Sequence, residues 1–301
     1  MLLFSAAFVG CFGGAESLAE PSQQTASLPA PAIENAPKHQ PKSLSPTPTP
    51  KPIPAAHRVR APHVPTPLEV PGFRPASHVG PADSVEKPHP IVVVLHGNYD
   101  RPEWQCEMWR QVADFYGWVL CPRGIPTPWA DPSEDRWMYR GSPVVSREIE
   151  VAISSLKSRY PGQVSDNGDR ILVGFSLGGL LAPNIIVNAP NRYAYLYLVE
   201  GGAAKLDPAR IKALRRAGIL GIGLAASTGS NRRASREAAK RLHRRSLPSV
   251  YVDMSGAGHN YRDDFASTGR QSLRDLLSKV DSQNESLQNG ALQNANDRPA
   301  D

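Results

Sequence analysis

The stretch Ile171-Leu-Val-Gly-Phe-Ser-Leu-Gly-Gly-Leu180 constrains the fold more than any other part of the chain. It opens as a short apolar run of strand length, too short for a helix. It then passes through Gly174-Phe175-Ser176-Leu177-Gly178 into a further apolar stretch of helical character. G-x-S-x-G between a strand and a helix is the pattern of a nucleophile elbow. A serine at so sharp a turn sits in strained backbone, and its neighbours two positions away must lack bulky side chains for the turn to close. Such a turn lifts Ser176 Oγ clear of a sheet. It also puts that oxygen at the start of a helix whose N–H groups favour developing negative charge.

The rest of the chain alternates strand and helix patterns around that turn. Ile91-Val-Val-Val-Leu95 is an uninterrupted apolar run of the kind buried inside parallel sheets. Residues 103–116 read as a helix with Trp104, Met108, Val112 and Phe115 on its core side. Strands are expected at 118–121, 195–199, 219–225 and 249–253, and helices at 144–159, 208–216, 232–245 and 261–280. This alternation predicts a three-layer α/β/α sandwich with a mostly parallel sheet, whose site lies at the carboxyl ends of the strands. Trp129, Trp137 and Tyr139 occupy a loop near that end. They would either line an apolar or sugar-binding wall or pack beneath the loop.

The front of the chain is different. Of its 301 residues 30 are proline, about twice the usual share, and most of them precede residue 91. Residues 1–15 read as a signal or lipoprotein leader: an apolar run ends in small residues at Cys11, the expected lipidation site. That implies export to a bacterial cell envelope, on the periplasmic face or outer membrane, with a possible lipid anchor to the membrane. Residues 16–88 read as a Pro-rich disordered tether, because so little apolar surface cannot offset chain entropy. Leu68-Glu-Val70 within it is a candidate edge strand. The catalytic domain is expected at 89–281, followed by a disordered polar tail at 282–301.

Three motifs in order carry a family resemblance: Leu95-His-Gly-Asn98, Gly174-Phe-Ser-Leu-Gly-Gly179 and Gly256-Ala-Gly-His259. The region from about 90 to 280 resembles the α/β-hydrolase family, nearest to its small bacterial serine esterases. The resemblance implies a serine nucleophile, a histidine base, an acid and an oxyanion hole. Ser176 matches the nucleophile and His259 the base. The amides of Leu177 and Asn98 match the two halves of the hole, and His96 would shape its loop. The implied activity is cleavage of carboxylic esters through an acyl-enzyme, on a small-molecule or polymer-borne ester, with no cofactor. The same groups would serve a serine peptidase of this fold.

The acid departs from the family's pattern. Where the family commonly carries Asp, this chain reads Ala226-Ser-Thr-Gly-Ser230-Asn231, and neither Ser230 nor Asn231 can balance an imidazolium. A second arrangement places the acid one strand earlier. There Leu198-Val-Glu200-Gly-Gly202 puts a carboxylate at the end of an apolar strand, where packing alone would not. Glu200 is therefore the expected acid. Asp207, Asp253, Asp263 or a triad without a carboxylate remain open, and a non-catalytic envelope binding module is the competing class.

Cys106 and Cys121 sit early in a helix and at the end of the strand after it, and in an oxidising compartment they are expected to pair. Their spacing suits no zinc site, so no metal is expected. Residues 205–245 are strongly basic, within a chain of net charge +6. No aromatic interleaves those charges, which argues against nucleic acid as a partner. They read as a solvated helix face or as a surface attracted to anionic headgroups. A monomer is expected.

Overall fold

A computed structural model describes residues 60–82, 87–166 and 169–296, with side chains through 289. Cys11, the leader and residues 1–59 of the tether lie outside the described residues. Eight strands form one sheet in the order β1 (Thr66–Leu68), β2 (Ala76–Val79), β4 (Trp118–Cys121), β3 (Ile91–Leu95), β7 (Ile171–Phe175), β8 (Tyr195–Val199), β9 (Gly221–Ala226) and β10 (Ser249–Asp253). Six of them, β3, β4, β7, β8, β9 and β10, run parallel. The expected three-layer α/β/α sandwich is what forms.

The central strands are apolar throughout because both sheet faces are covered. Alternate residues of β3 serve opposite cores. Ile91, Val93 and Leu95 join the side covered by α2 (Ser142–Arg159), α3 (Leu177–Asn188), α4 (Pro208–Arg216) and α5 (Gly229–His243). Val92 and Val94 join the side covered by α1 (Pro102–Ala113) and α6 (Phe265–Asn296). Trp109 on α1 and Phe265, Leu273 and Leu276 on α6 fill that second core at helical spacing. Both layers therefore rest on the strand alternation that the sequence displays.

Three boundaries differ from expectation. The domain begins well before residue 89: β1 (Thr66–Leu68) and β2 (Ala76–Val79) form an antiparallel pair that joins the sheet beside β4. Pro67 is tolerated because β1 is the outermost strand, where a missing N–H costs no ladder bond. β2 is buried despite its polar residues because they are satisfied there. His78 Nδ1–H donates to the Thr66 carbonyl (2.7 Å) and the Tyr160 hydroxyl donates to Nε2 (2.9 Å). At the other end, α6 continues to Asn296, so residues 282–296 are helix where a disordered tail was expected. No proline interrupts residues 265–296, and a helix satisfies its own backbone without needing burial. The third difference lies between β4 and α2, where β5 (Ile125–Pro126) and β6 (Trp137–Met138) pair as a small separate ribbon.

Cys106 of α1 and Cys121 of β4 form a disulfide, with Cα atoms 5.9 Å apart, inside the span such a bond bridges. The bond staples α1 to the sheet one turn from the helix start.

Candidate active site

Four strands end at the site, and each supplies one part of it. After β7 the chain reverses at Ser176, whose φ of 49° lies in the left-handed region that residues with side chains rarely adopt. Main-chain bonds hold it there. Ser176 N–H donates to the Val199 carbonyl (2.9 Å), and Leu180 N–H donates to the Ser176 carbonyl (3.0 Å). The turn closes only around glycine. A Cβ at Gly178 would lie 2.5 Å from the Leu95 carbonyl oxygen, and one at Gly174 would lie 2.5 Å from main-chain atoms of Gly178. Sequence logic and packing agree at this turn.

Ser176 Oγ lies 2.8 Å from His259 Nε2, and His259 Nδ1 lies 3.1 Å from Glu200 Oε2. His259 sits in the loop after β10, and Glu200 follows β8 directly with φ 53°. The Glu200 side chain is fully buried, whereas that of His259 is half exposed. Burying a carboxylate is costly unless its lone pairs are used. They are used here. Oε1 accepts N–H donations from Ser227 and Thr228, and Oε2 accepts from Thr228 Oγ1 (3.0 Å) and Asn231 Nδ2 (3.2 Å) besides His259. Four donors from the turn into α5 thus fix a carboxylate that leaves one edge for the imidazole. With Ser176 donating to Nε2 and Nδ1–H donating to Glu200, the three groups form a continuous hydrogen-bonded line in which the carboxylate orients the imidazole.

Of the other acids, Asp207 caps α4 by accepting from Arg210 N–H (2.7 Å), and Asp253 pairs with Arg232 and Arg236. Asp263 is exposed on the cleft wall, and none of the three is bonded to His259. Asn231, which stands where an acid was sought, instead supports the acid that is present.

After β3, His96 is buried beneath the loop. Its ring stacks on Tyr139 with centroids 4.2 Å apart and reaches the Gly97 and Arg123 carbonyls at 2.7 and 2.8 Å. Burial lowers its pKa, and its two ring contacts shape the loop. The His96 carbonyl accepts from Gly178 N–H (3.1 Å), which locks this loop to the start of α3. Leu177 N–H opens α3 and Asn98 follows on the cleft wall. Among the described residues neither amide donates to another group.

Behind the cleft runs a hydrogen-bond chain that no local sequence pattern announces. Trp109 Nε1 donates to Tyr261 Oη (3.0 Å), and the Tyr261 hydroxyl donates to Gln105 Oε1 (2.7 Å). Gln105 Nε2 donates to Asp100 Oδ2 (2.9 Å), which also accepts from Gly97 N–H (3.0 Å). Tyr261 stays a donor because burial pushes its phenol pKa up. Its ring stacks on Phe175, centroids 5.1 Å apart, directly before Ser176. The chain ties the His259 loop to the loop of Asn98.

The cleft holds about 540 Å³ and is walled by Tyr99, Trp104, Met108, Phe175 and Tyr261, with Asn260 and Arg262 at its polar side. Trp104 corrects an expectation: it is 51% exposed at the cleft and not in the core. It lies in the first turn of α1, ahead of the part that packs on the sheet. Arg136 and Arg101 brace its ring at 4.7 and 5.1 Å. The loop aromatics divide differently from either reading. Tyr139 is buried on His96, Trp137 lies under Arg123, and Trp129 is exposed away from the cleft wall. Among the described residues no three His, Cys, Asp or Glu side chains are grouped to share a metal ion.

Among solved structures the chain is similar to TT1662 from Thermus thermophilus, with a TM-score of 0.50 and 17% identity over 73% of this chain and 99% of that one. It is also similar to esterase PE8 (TM-score 0.49, 16% identity, 70% of this chain and 100% of that one). A protein described as a thermostable esterase matches at TM-score 0.46 and 17% identity, over 71% of this chain. The match spans 62% of that protein, less than two thirds of its length. No family model matches the chain, and no curated protein matches it. The likeness is one of fold, and the fold is that of the α/β-hydrolases.

Proposed function

We propose that the chain is a serine hydrolase that cleaves carboxylic esters. The observation that carries this reading is the line of contacts from Ser176 Oγ to His259 Nε2 (2.8 Å) and from His259 Nδ1 to the buried Glu200 carboxylate (3.1 Å). A serine hydroxyl is a weak nucleophile at neutral pH and needs a base held in the right tautomer. In this reading Ser176 Oγ attacks the acyl carbon while its proton passes to His259. The oxyanion that forms is held by the Leu177 and Asn98 amides. His259 then gives the proton to the leaving alkoxide, which departs as the alcohol. Water attacks the acyl-enzyme, His259 takes its proton, and the acid is released with Ser176 restored.

The cleft is open, and aromatic side chains contribute to its wall. That arrangement favours soluble or polymer-borne esters over a fully enclosed long acyl chain. Labelling by a fluorophosphonate probe, abolished in Ser176→Ala, is the direct test. A series of p-nitrophenyl esters of graded chain length then defines the acyl preference. Absence of both labelling and turnover in folded wild-type protein would refute the reading and favour a non-catalytic module. Export and lipidation at Cys11 are proposed alongside it. Metabolic labelling with a fatty-acid analogue, if unchanged in Cys11→Ser, removes the lipid anchor from the account.

A further inference from the structure

We propose that the base of the molecule, at the end of the sheet opposite Ser176, docks on an anionic lipid surface. Charge is the first observation. Residues 205–245 hold twelve Lys and Arg against Asp207 and Glu237, a net +10, whereas the whole chain is +6. The remaining residues therefore sum to −4, and the positive charge belongs to one region.

That region has a definite place. Helices α4 and α5 cover the same sheet face, and in parallel α/β units helices end where the strands begin. Arg215 and Arg216 close α4, and Arg244 and Arg245 follow the end of α5. The two ends meet: Arg215 Nη1 donates to the Arg245 carbonyl (2.8 Å). Cations favour helix C-termini through the dipole alone, and that would account for one or two charges at each. It does not account for what lies beside them.

Next to these arginines is a groove of about 220 Å³ between the start of β9 and α6. Arg215, Leu220, Pro248 and Leu287 contribute to its lining. Leu220 is 40% exposed and Leu287 65% exposed. A groove of mixed lining that exposes two leucines beside Arg215 suits a bilayer interface, where phosphates meet the charges and apolar side chains enter the headgroup boundary. A soluble polyanion would engage the charges and leave the leucines in water. Neither α4 nor α5 carries an aromatic on which bases could stack. Arg232 and Arg236 are committed to Asp253 near the other end and take no part. Among the described residues no helix is long and apolar enough to cross a membrane. Docked in this way, the molecule turns its Ser176 end away from the lipid. The proposal stands independently of ester hydrolysis.

The test is co-sedimentation of the full chain, carrying Cys11→Ser so that no acyl chain contributes, with two vesicle types. One is pure phosphatidylcholine and the other includes phosphatidylglycerol. Binding is expected to the second only, weakening about tenfold or more as salt rises from about 0.05 M to about 0.5 M. Arg216→Glu with Arg244→Glu should weaken it about tenfold at unchanged melting temperature. Leu220→Ser with Leu287→Ser should weaken it about fivefold or more with charge untouched. Leu287→Ser alone serves if the pair fails to fold, because that side chain is mostly exposed. Two results overturn the proposal: no binding to anionic vesicles, or leucine variants that bind them as wild type does.

Discussion

Asn231 donates its side-chain amide to Glu200 twice, to the main-chain carbonyl at 2.9 Å and to Oε2 at 3.2 Å. The residue at the position where the family commonly carries Asp thus holds the Glu200 carboxylate in place from the first turn of α5. Glu200→Gln keeps the shape but presents an amide to His259 and disfavours the reactive tautomer. The kcat for a p-nitrophenyl ester should fall about 10³- to 10⁴-fold, with KM far less affected. Asn231→Ala removes support without removing charge and should cost about tenfold. Wild-type kcat in Glu200→Gln would remove Glu200 from the mechanism.

Gln105 joins Tyr261 to Asp100, and through Asp100 to Gly97 N–H. Gln105→Leu leaves both a buried hydroxyl and a buried carboxylate short of a partner. It should lower kcat and the rate of fluorophosphonate labelling by about tenfold or more while KM changes little. Gln105→Glu gives a sharper signature. A carboxyl beside Asp100 can donate to it only when protonated, so activity relative to wild type should be greatest at acidic pH and decline as pH rises. A ratio that is flat with pH would reduce Gln105 to a packing residue.

His78 contributes one part of the pH dependence of stability. Burial lowers its pKa from 6.5 to about 4 in the folded chain, where Nδ1–H is bonded to the Thr66 carbonyl. Between those values the unfolded chain binds the extra proton and the folded chain does not. Stability should therefore be complete above about pH 6.5 and fall as pH drops towards 4, by up to about 3 kcal/mol. Urea denaturation across that range measures the slope, and His78→Gln should reduce it, leaving the part that buried His96 contributes. An unchanged slope in that variant would assign the effect to other groups.

The Cys106–Cys121 bond closes a loop of sequence separation 15. Reduction, or Cys121→Ala, should cost about 3 kcal/mol through the freed unfolded chain. Mass spectrometry without reductant checks the bond, and melting with and without reductant checks its contribution.

Trp104 tests the cleft wall. Its ring is held between Arg101 and Arg136 with half its surface free. Trp104→Ala should raise KM for esters with a ring-bearing acyl group about fivefold or more, and by less for acetate esters. Equal effects on both would place the acyl group elsewhere.

What the sequence made legible is what short-range physics controls. Ile91–Leu95 and Ile171–Phe175 announce themselves because a strand buried on both faces must be apolar at every position. Ser176 was visible because its turn excludes side chains at Gly174 and Gly178. Glu200 was visible because a carboxylate ending an apolar strand has no packing reason to be there. The unreadable parts depend on long-range partners. β2 lies in a Pro-rich stretch that reads as tether, and the burial of its polar His78 depends on Thr66 and Tyr160. Trp104 shares a helical stripe with core residues, and where the sheet ends decides that it faces solvent. The Gln105 chain joins residues up to 156 positions apart, a separation that local periodicity cannot reveal.

The glycine contacts around the elbow divide the site into a frozen part and a free part. A Cβ at Gly201 would lie 2.6 Å from the Ser176 carbonyl oxygen, and one at Gly202 would lie 2.1 Å from that of Gly179. Both obstacles are main chain, which no rotamer change can move aside. Randomising these positions in a library should return glycine alone, whereas Tyr99, Trp104 and Met108 meet the substrate only through side chains. The scaffold can therefore be retargeted by rewriting one wall of the cleft while the reacting end is left untouched.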